Sequence, residues 1–535
     1  MHRDLYLKEA LRYLPHLMEI ADRNLFSPTF GCFDRAYWHY RTADFPSGMF
    51  QEAVLPLALL YKLDHPQNPL FGKERIRELV IGGIEFAIRS AHADGSCDDY
   101  FPYERAAGAA AFSLYACTEA TRLLNLQESH PHFLDFFKKR AENLIEKGML
   151  ESGTLCNHKA LIVLAVYNTF LLTQEPILQQ KSDMALLKLL SLQKSEGWFP
   201  EYEGCDPGYL TFTIDFLAKY YQRSGDIRVL DPLASAIAFA INFMHPDGSY
   251  GGEYGSRNTF HFMPHGFELM GKQCPEAFLA ARSFLKSLEL GTRSYIDDDR
   301  IMIHYVYNYL QAYLDYASGF EVMTAATTEP VMRVFPEADL VVARQGEHVA
   351  IFSTQKGNGK VFKNGKLVFS DSGVVGKDRA GKVFSSHVFG AVEKFFLKDG
   401  ILSMTGKMFE QSQIVFTPWT FWLFRAFLIF AGRWMNENTI RTLLQKKAIL
   451  KKKMPVPISW TKEINLKRLD QVVYTFKIED AQWNPSDLKI ASDATFIYTA
   501  ASQPYQPGNL LPWVNLEAIL PDLIRDREVI YTHTL

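Results

Sequence analysis

Paired cysteines, net charge and an apolar leader are what this chain has least of. Its six cysteines (Cys32, Cys97, Cys117, Cys156, Cys205 and Cys274) are scattered, with no CxxC pair and no tight metal spacing. That argues against a disulfide framework and fits free thiols in a reducing compartment. A formal net charge of −3 offers no general attraction for nucleic acid. Residues 1–23, MHRDLYLKEALRYLPHLMEIADR, have no apolar h-region and pattern as a charged amphipathic helix. A cleaved secretory signal is therefore not expected, and a cytoplasmic location is.

What is abundant is aromatic: 40 Phe and 25 Tyr bring the aromatic share to 14%. Most of these rings fill cores, but a groove of stacking rings is also how carbohydrate sites are built. At 535 residues the chain exceeds what one hydrophobic core serves, so two or more domains are expected.

The apolar spacing predicts helix after helix from Leu5 to about Tyr316, with three- and four-residue intervals in 74–91, 106–125, 158–173, 208–223, 227–243 and 301–316. Three loops between them share a plan: HADGSCDDYFPYERAAG at 92–108, KSEGWFPEYEGCDPGYL at 194–210 and HPDGSYGGEYGSRNTF at 245–260. Each sets a turn glycine (Gly95, Gly197, Gly248) ahead of aromatic and acidic residues. Gly197 and Gly248 are 51 residues apart, the length of a helical hairpin with its loops, and a further unit begins near Gly153. This period predicts hairpins closing into an (α/α) toroid over residues 1–323, with functional loops on one rim.

The texture changes in 324–336, TEPVMRVFP at its end, which has the composition of a linker. Short β-rich runs follow across 337–535, and Asn364-Gly365 between two of them marks a two-residue hairpin. An antiparallel β-sandwich is expected there. One stretch does not fit it. Residues 414–453 open on a strongly apolar, aromatic run interrupted by Pro418 and Arg425, then turn basic at Arg433, Arg441, Lys446, Lys447 and Lys451–Lys453. It reads as an insertion packed on the β domain, as a surface-lying membrane anchor, or as a span.

The segment richest in chemistry is 247–268, DGSYGGEYGSRNTFHFMPHGFE. Its glycines let backbone approach a ligand, and Arg257, His261 and His265 follow. A helix after Asn258 would put His261 and His265 on one face. HFMPH lacks the Glu of a zincin, so a metal is not required, although a structural divalent metal stays open. Asn157 suits the N-cap of the next helix, HKALIVLAVYNTF, and His158 its first turn, where the positive helix end favours neutral imidazole. Tyr209, 51 residues after His158, begins the corresponding helix of a later unit.

Asn-His at a helix start, Tyr about fifty residues on, and then a Gly-rich loop with Arg and His resembles the heparinase II/III-like polysaccharide lyases and their alginate lyase relatives. The resemblance implies a toroid joined to a β-sandwich and β-elimination on an acidic, uronate-containing glycan, with no cofactor. It makes Tyr209 the catalytic Tyr and His158 its partner base. Asn157 with His261 or His265 would neutralise the uronate carboxylate, Arg257 would bind an anionic sugar, and Trp38 and Tyr254 would add substrate contacts. Two further readings stand beside it. Asp98, Asp99, Glu104, Glu201, Glu203, Asp206 and Glu253 lie on similar loops, and Asp206 with Glu253 would serve a toroid glycoside hydrolase. A toroid that only binds glycans at a membrane surface fits the aromatic insertion. In each, Trp38, Tyr37 and Tyr40 either stack on sugar or pack the first helices.

Overall fold

The computed structural model describes residues 2–150, 154–202, 204–318, 330–346, 348–411, 415–435, 440, 454–495, 499, 502–506 and 510–535. Gly153, Glu203, residues 324–329 of the expected linker and the basic residues from Arg441 to Lys453 lie outside them.

The first half is helical. Its helices are α1 (Asp4–Arg12), α2 (Leu14–Glu19), α3 (Arg35–Trp38), α4 (Val54–Lys62), α5 (Glu74–Ser90), α6 (Ala107–Leu123) and α7 (His132–Glu146). They continue as α8 (Cys156–Thr173), α9 (Pro176–Leu190), α10 (Pro207–Ser224), α11 (Leu230–Ala240), α12 (Pro264–Met270), α13 (Pro275–Leu290) and α14 (Ile301–Leu314). Two kinds alternate. α6, α8 and α14 are buried almost all round, whereas α1, α5 and α7 bury one stripe only. A helix apolar on every side must be enclosed by others. The contacts show how: α4, α6, α8, α10, α12 and α14 touch in succession, and α14 returns to α4. The stripe-faced helices pack outside this closed inner ring, α5 on α4, α7 on α6, α9 on α8, α11 on α10, α13 on α12 and α1 on α14.

The repeated loop has a physical basis. Gly95, Gly197 and Gly248 all take left-handed backbone angles (φ +82°, +102° and +80°). A Cβ on each would lie 2.9, 2.4 and 2.3 Å from backbone of α7, α11 and α13 respectively. The hydrogen bonds repeat as well: His92, Lys194 and His245 each accept from their turn glycine and donate to the carbonyl four residues on.

The second half forms two antiparallel sheets. One is a meander of β1 (Val331–Phe335), β2 (Leu340–Gln345), β3 (His348–Ser353), β4 (Gly359–Lys363) and β5 (Lys366–Asp371). Asn364-Gly365 forms the tight β4–β5 turn, both residues at positive φ (50° and 74°). The strand β1 occupies the end of the segment expected to be a linker, paired residue by residue with β2. The other sheet contains β6 (Val374–Asp378), β7 (Val383–Ser385), β8 (Val392–Lys398), β9 (Ile401–Glu410), β10 (Pro455–Asn465), β11 (Gln471–Ile478), β12 (Pro485–Ile490), β13 (Val514–Asn515) and β14 (Glu528–Thr534). Its order is β13-β12-β6-β7-β9-β10-β11-β14, with β8 also on β9. Val341, Phe352, Met404, Trp460 and Phe476 fill the core between the sheets, and alternating burial along β9, β10 and β11 is what a one-sided sheet requires. The architecture is an (α/α) toroid followed by an antiparallel β-sandwich.

Within the 414–453 insertion, α15 (Pro418–Phe430) is a short capped helix. It packs on toroid loops instead of the sandwich: Phe424 meets Phe101 at 6.0 Å, and Arg425 reaches Asp44 at 3.1 Å. No helix among the described residues is long and apolar enough to cross a membrane.

Candidate functional site

The inner helices α6, α8, α10 and α14 begin on the rim that carries the glycine loops, and their first two turns supply a floor of rings. Phe112 is at its centre, stacked on His304 at 4.3 Å, edge-on to His158 at 6.3 Å and edge-on to Phe212 at 6.3 Å. Phe212 in turn lies 6.1 Å from Tyr209 and 4.9 Å from His261, and Tyr209 and His261 are 5.3 Å apart. The His158 ring packs directly over Gly108 of α6, where a Cβ would come within 2.5 Å of it. Any larger residue there would displace the imidazole. His158 and Tyr209 are half-buried, while Asn157, Arg257, His261 and His304 lie beneath the surface.

Burial sets the protonation of this floor. It pushes His158 down to about 4, partly offset by the Glu201 carboxylate, and His261 and His304 down to about 3. These imidazoles are neutral at ordinary pH. Burial raises Tyr209 far above a normal phenol, although the Arg257 cation opposes the shift. Tyr209 is therefore a protonated donor in the free protein. His261 shares a 2.6 Å hydrogen bond between Nδ1 and the Tyr305 hydroxyl, and His304 one of 2.7 Å between Nδ1 and Glu52.

The Gly-rich loop delivers Arg257. Its backbone N–H donates to Asp206 Oδ2 at 2.8 Å, and its guanidinium lies 3.7 Å over the Tyr202 ring. Asp206 also caps α10 by accepting from the Tyr209 N–H at 3.0 Å, and it accepts from the Thr259 hydroxyl. One carboxylate thus ties the loop to the helix that carries Tyr209. The sandwich clamps the same loop from the other side. Lys356 donates to the carbonyls of Glu253 and Gly255 (2.5 Å to the latter) and to Asn258 Oδ1 at 2.7 Å. Asn258 holds a left-handed φ of 58°, and His387 Nε2 is 3.3 Å from its Oδ1. Burial lowers Lys356 to about 7, against the pull of Asp206 and Glu253. Across the mouth, Arg300 pairs with Asp99 at 2.8 Å and donates to the Tyr100 hydroxyl at 2.9 Å.

Several expected residues have other duties. Asn157 is not the N-cap, because α8 begins at Cys156 after Leu155. Its amide and backbone N–H instead donate to Glu201 Oε2 and Oε1, each at 2.8 Å, and burial raises that carboxyl to about 7. His261 and His265 do not share a helix face, since α12 starts only at Pro264. His265 turns into the toroid interior, with Nε2 2.9 Å from Asp315 and Nδ1 3.9 Å from Asp215. Tyr254 is buried, its hydroxyl 3.1 Å from His245 and its ring stacked on Phe243. Trp38 donates from Nε1 to the Ile20 carbonyl at 2.9 Å, which ties the first helices together. Glu253 pairs with Lys360 at 3.0 Å. His304, Glu52, Tyr305 and Tyr202 were not singled out by any motif; the signal available for His304 is its place in the first turn of the last inner helix. Among the described residues no group of three or more His, Cys, Asp or Glu side chains is placed to hold a metal ion.

No family model and no curated protein matches the sequence. Solved structures do match. Chondroitin AC lyase of Streptomyces coelicolor A3, in complex with chondroitin sulphate, is 12% identical with a TM-score of 0.51, over 91% of this chain and 68% of that one. Heparinase III is 12% identical with a TM-score of 0.49, over 83% and 64%. An unsaturated glucuronyl hydrolase of Streptococcus agalactiae is 10% identical with a TM-score of 0.40, over 58% and 90%. The chain spans about two thirds of the length of the two lyases. At this identity the likeness concerns the fold: a toroid joined to a β-sandwich, as in chondroitin AC lyase.

Proposed function

We propose that the chain is a polysaccharide lyase-like enzyme that cleaves an acidic, uronate-containing glycan by β-elimination. The observation that carries the reading is that Phe112 and Phe212 bring a neutral imidazole, His158, and a protonated phenol, Tyr209, onto one floor of rings, with the Arg257 cation close enough to act on the phenol. β-Elimination removes the proton on the carbon beside the carboxylate and expels the 4-linked oxygen. That proton is acidic enough only when hydrogen-bond donors offset the carboxylate charge. Arg257 and His261 take this role. With Tyr305 donating to its Nδ1, the imidazole of His261 keeps one N–H, on Nε2. Asn157, held by Glu201, lines the same end of α8. His158 accepts the carbon-bound proton, and an arriving carboxylate raises its basicity. Tyr209 gives its hydroxyl proton to the leaving oxygen.

A carboxylate pair is less well supported. Asp206 is engaged by the Tyr209 and Arg257 N–H groups and the Thr259 hydroxyl, and Glu253 by Lys360. The six buried free thiols fit action in a reducing compartment. Tyr209→Phe tests the assignment: activity on a panel of uronate polymers should fall ~10²–10⁴-fold, with thermal unfolding unchanged. Full activity in that variant would remove Tyr209 from the chemistry.

A further inference from the structure

The aromatic helix α15 has an inner and an outer face, and only the inner one is used. Leu428 is buried, Phe424 rests on Phe101, and Arg425 is committed to Asp44 and lies 5.5 Å from the Phe45 ring. The outer face carries Trp419, Trp422, Leu423 and Phe430, and Val415 and Trp434 lie exposed just beyond the helix ends, with Trp419 77%, Phe430 76% and Trp434 77% exposed. Large contiguous apolar surface of this kind marks an interaction site. The helix does not depend on a partner to form: Pro418 starts it, and Thr417 and Thr420 close a reciprocal cap (Thr420 N–H to Thr417 Oγ1 3.2 Å, Thr417 N–H to Thr420 Oγ1 2.8 Å).

We propose that the outer face of α15 docks on an anionic lipid bilayer. Three observations select this occupant. At 13 residues the helix is about 20 Å long, too short to cross the roughly 30 Å hydrocarbon layer but suited to lying in its interface. Three of these exposed side chains, Trp419, Trp422 and Trp434, are Trp, the residue that favours the headgroup boundary. The charge is complementary: besides Arg425, which Asp44 neutralises, residues 415–435 contain Arg433 and no acid, and the sequence to 453 adds Arg441, Lys446, Lys447, Lys451, Lys452 and Lys453 against Glu437 alone. This concentration of cations stands out in a chain whose net charge is −3. The inner face of α15 sits on Phe101, directly after Asp99 and Tyr100, so docking holds the cleft mouth beside the headgroups. The inference does not rest on the lyase reading.

Sedimentation of the full-length protein with vesicles tests it. Phosphatidylcholine vesicles containing phosphatidylglycerol should bind the protein and vesicles of phosphatidylcholine alone should bind it less, with added salt weakening the former. The triple variant Trp419→Ser, Trp422→Ser, Phe430→Ser should bind at least ~10-fold more weakly, because affinity follows buried apolar area. As a check that needs no variant, brominated acyl chains should quench the wild-type tryptophan fluorescence. Three results would overturn the proposal: no binding to anionic vesicles, equal binding by the triple variant, or a dimer that the triple variant dissolves while vesicles are ignored. The last would make the face a contact between two copies of the chain.

Discussion

Two levels of the toroid use the same residue types to opposite ends. At the rim, His158, Tyr209, His261 and His304 surround the Phe112–Phe212 pair, and burial keeps the imidazoles neutral. Further down the inner ring, Asp215, Lys219 and Asp315 form a charged cluster around His265, whose pKa burial also lowers. Lys219 meets Asp215 at 2.5 Å inside a cage of Tyr115, Phe216 and Tyr307. His265 bridges Asp215 and Asp315. The lower cluster satisfies its charges internally and holds α10, α12 and α14 together. The upper one places a neutral imidazole, His158, and a protonated phenol, Tyr209, at half-buried positions.

The comparison is broken most severely by removing a charge from the lower cluster. Lys219→Met leaves the Asp215 carboxylate buried with the Gly266 N–H and the neighbouring His265. A loss of about 3–5 kcal/mol of stability is expected, measured by chemical denaturation, with the cleft chemistry of the surviving folded protein retained. Equal stability would mean the cluster is not structural.

A smaller effect is expected at the junction of the two domains. Lys356→Met removes the ammonium that the Glu253 and Gly255 carbonyls and Asn258 Oδ1 accept from, at a cost of about 1–3 kcal/mol. Because those groups hold the loop that presents Arg257, KM for a uronate polymer should rise, while Lys219→Met should leave it unchanged. An unaltered KM in Lys356→Met would separate the sandwich from the site.

The mildest test is pH. The rim histidines titrate at about 4 and about 3 in the folded chain, against about 6.5 when unfolded. A depressed histidine means the unfolded chain binds more protons between these values. This contribution to stability is therefore complete above about pH 6.5 and is lost as pH falls toward about 3. In kinetics, kcat/KM should hold as pH falls through 6.5 and decline only near 4. An acid limb close to 6.5 would show that the surroundings of His158 do not lower its pKa.

Much of the architecture was legible because it is local. Turn glycines, apolar periodicity and the Asn364-Gly365 hairpin each act within a few residues, and helix starts pointed to His158 and Tyr209. What was not legible depends on chain crossings. Pro264 begins α12, so the four-residue spacing of His261 and His265 carried no shared face. Glu201, 44 residues away, redirects Asn157. Lys356 reaches the Arg257 loop from another domain, and Tyr254 is taken up by His245. The support of α15 by Phe101 and Asp44 joins positions more than three hundred residues apart, which no window of sequence displays.

The central claim, elimination at a uronate by the rim pair, is tested most directly by the chemistry of the new chain ends. Purified full-length protein is incubated with chondroitin, heparan and alginate polymers in heavy-oxygen water, and the products are read by mass spectrometry and ultraviolet absorbance. The account predicts unsaturated uronate at the new non-reducing ends and no label incorporated by cleavage. Saturated ends carrying oxygen from the solvent would contradict it and assign the cleft to hydrolysis.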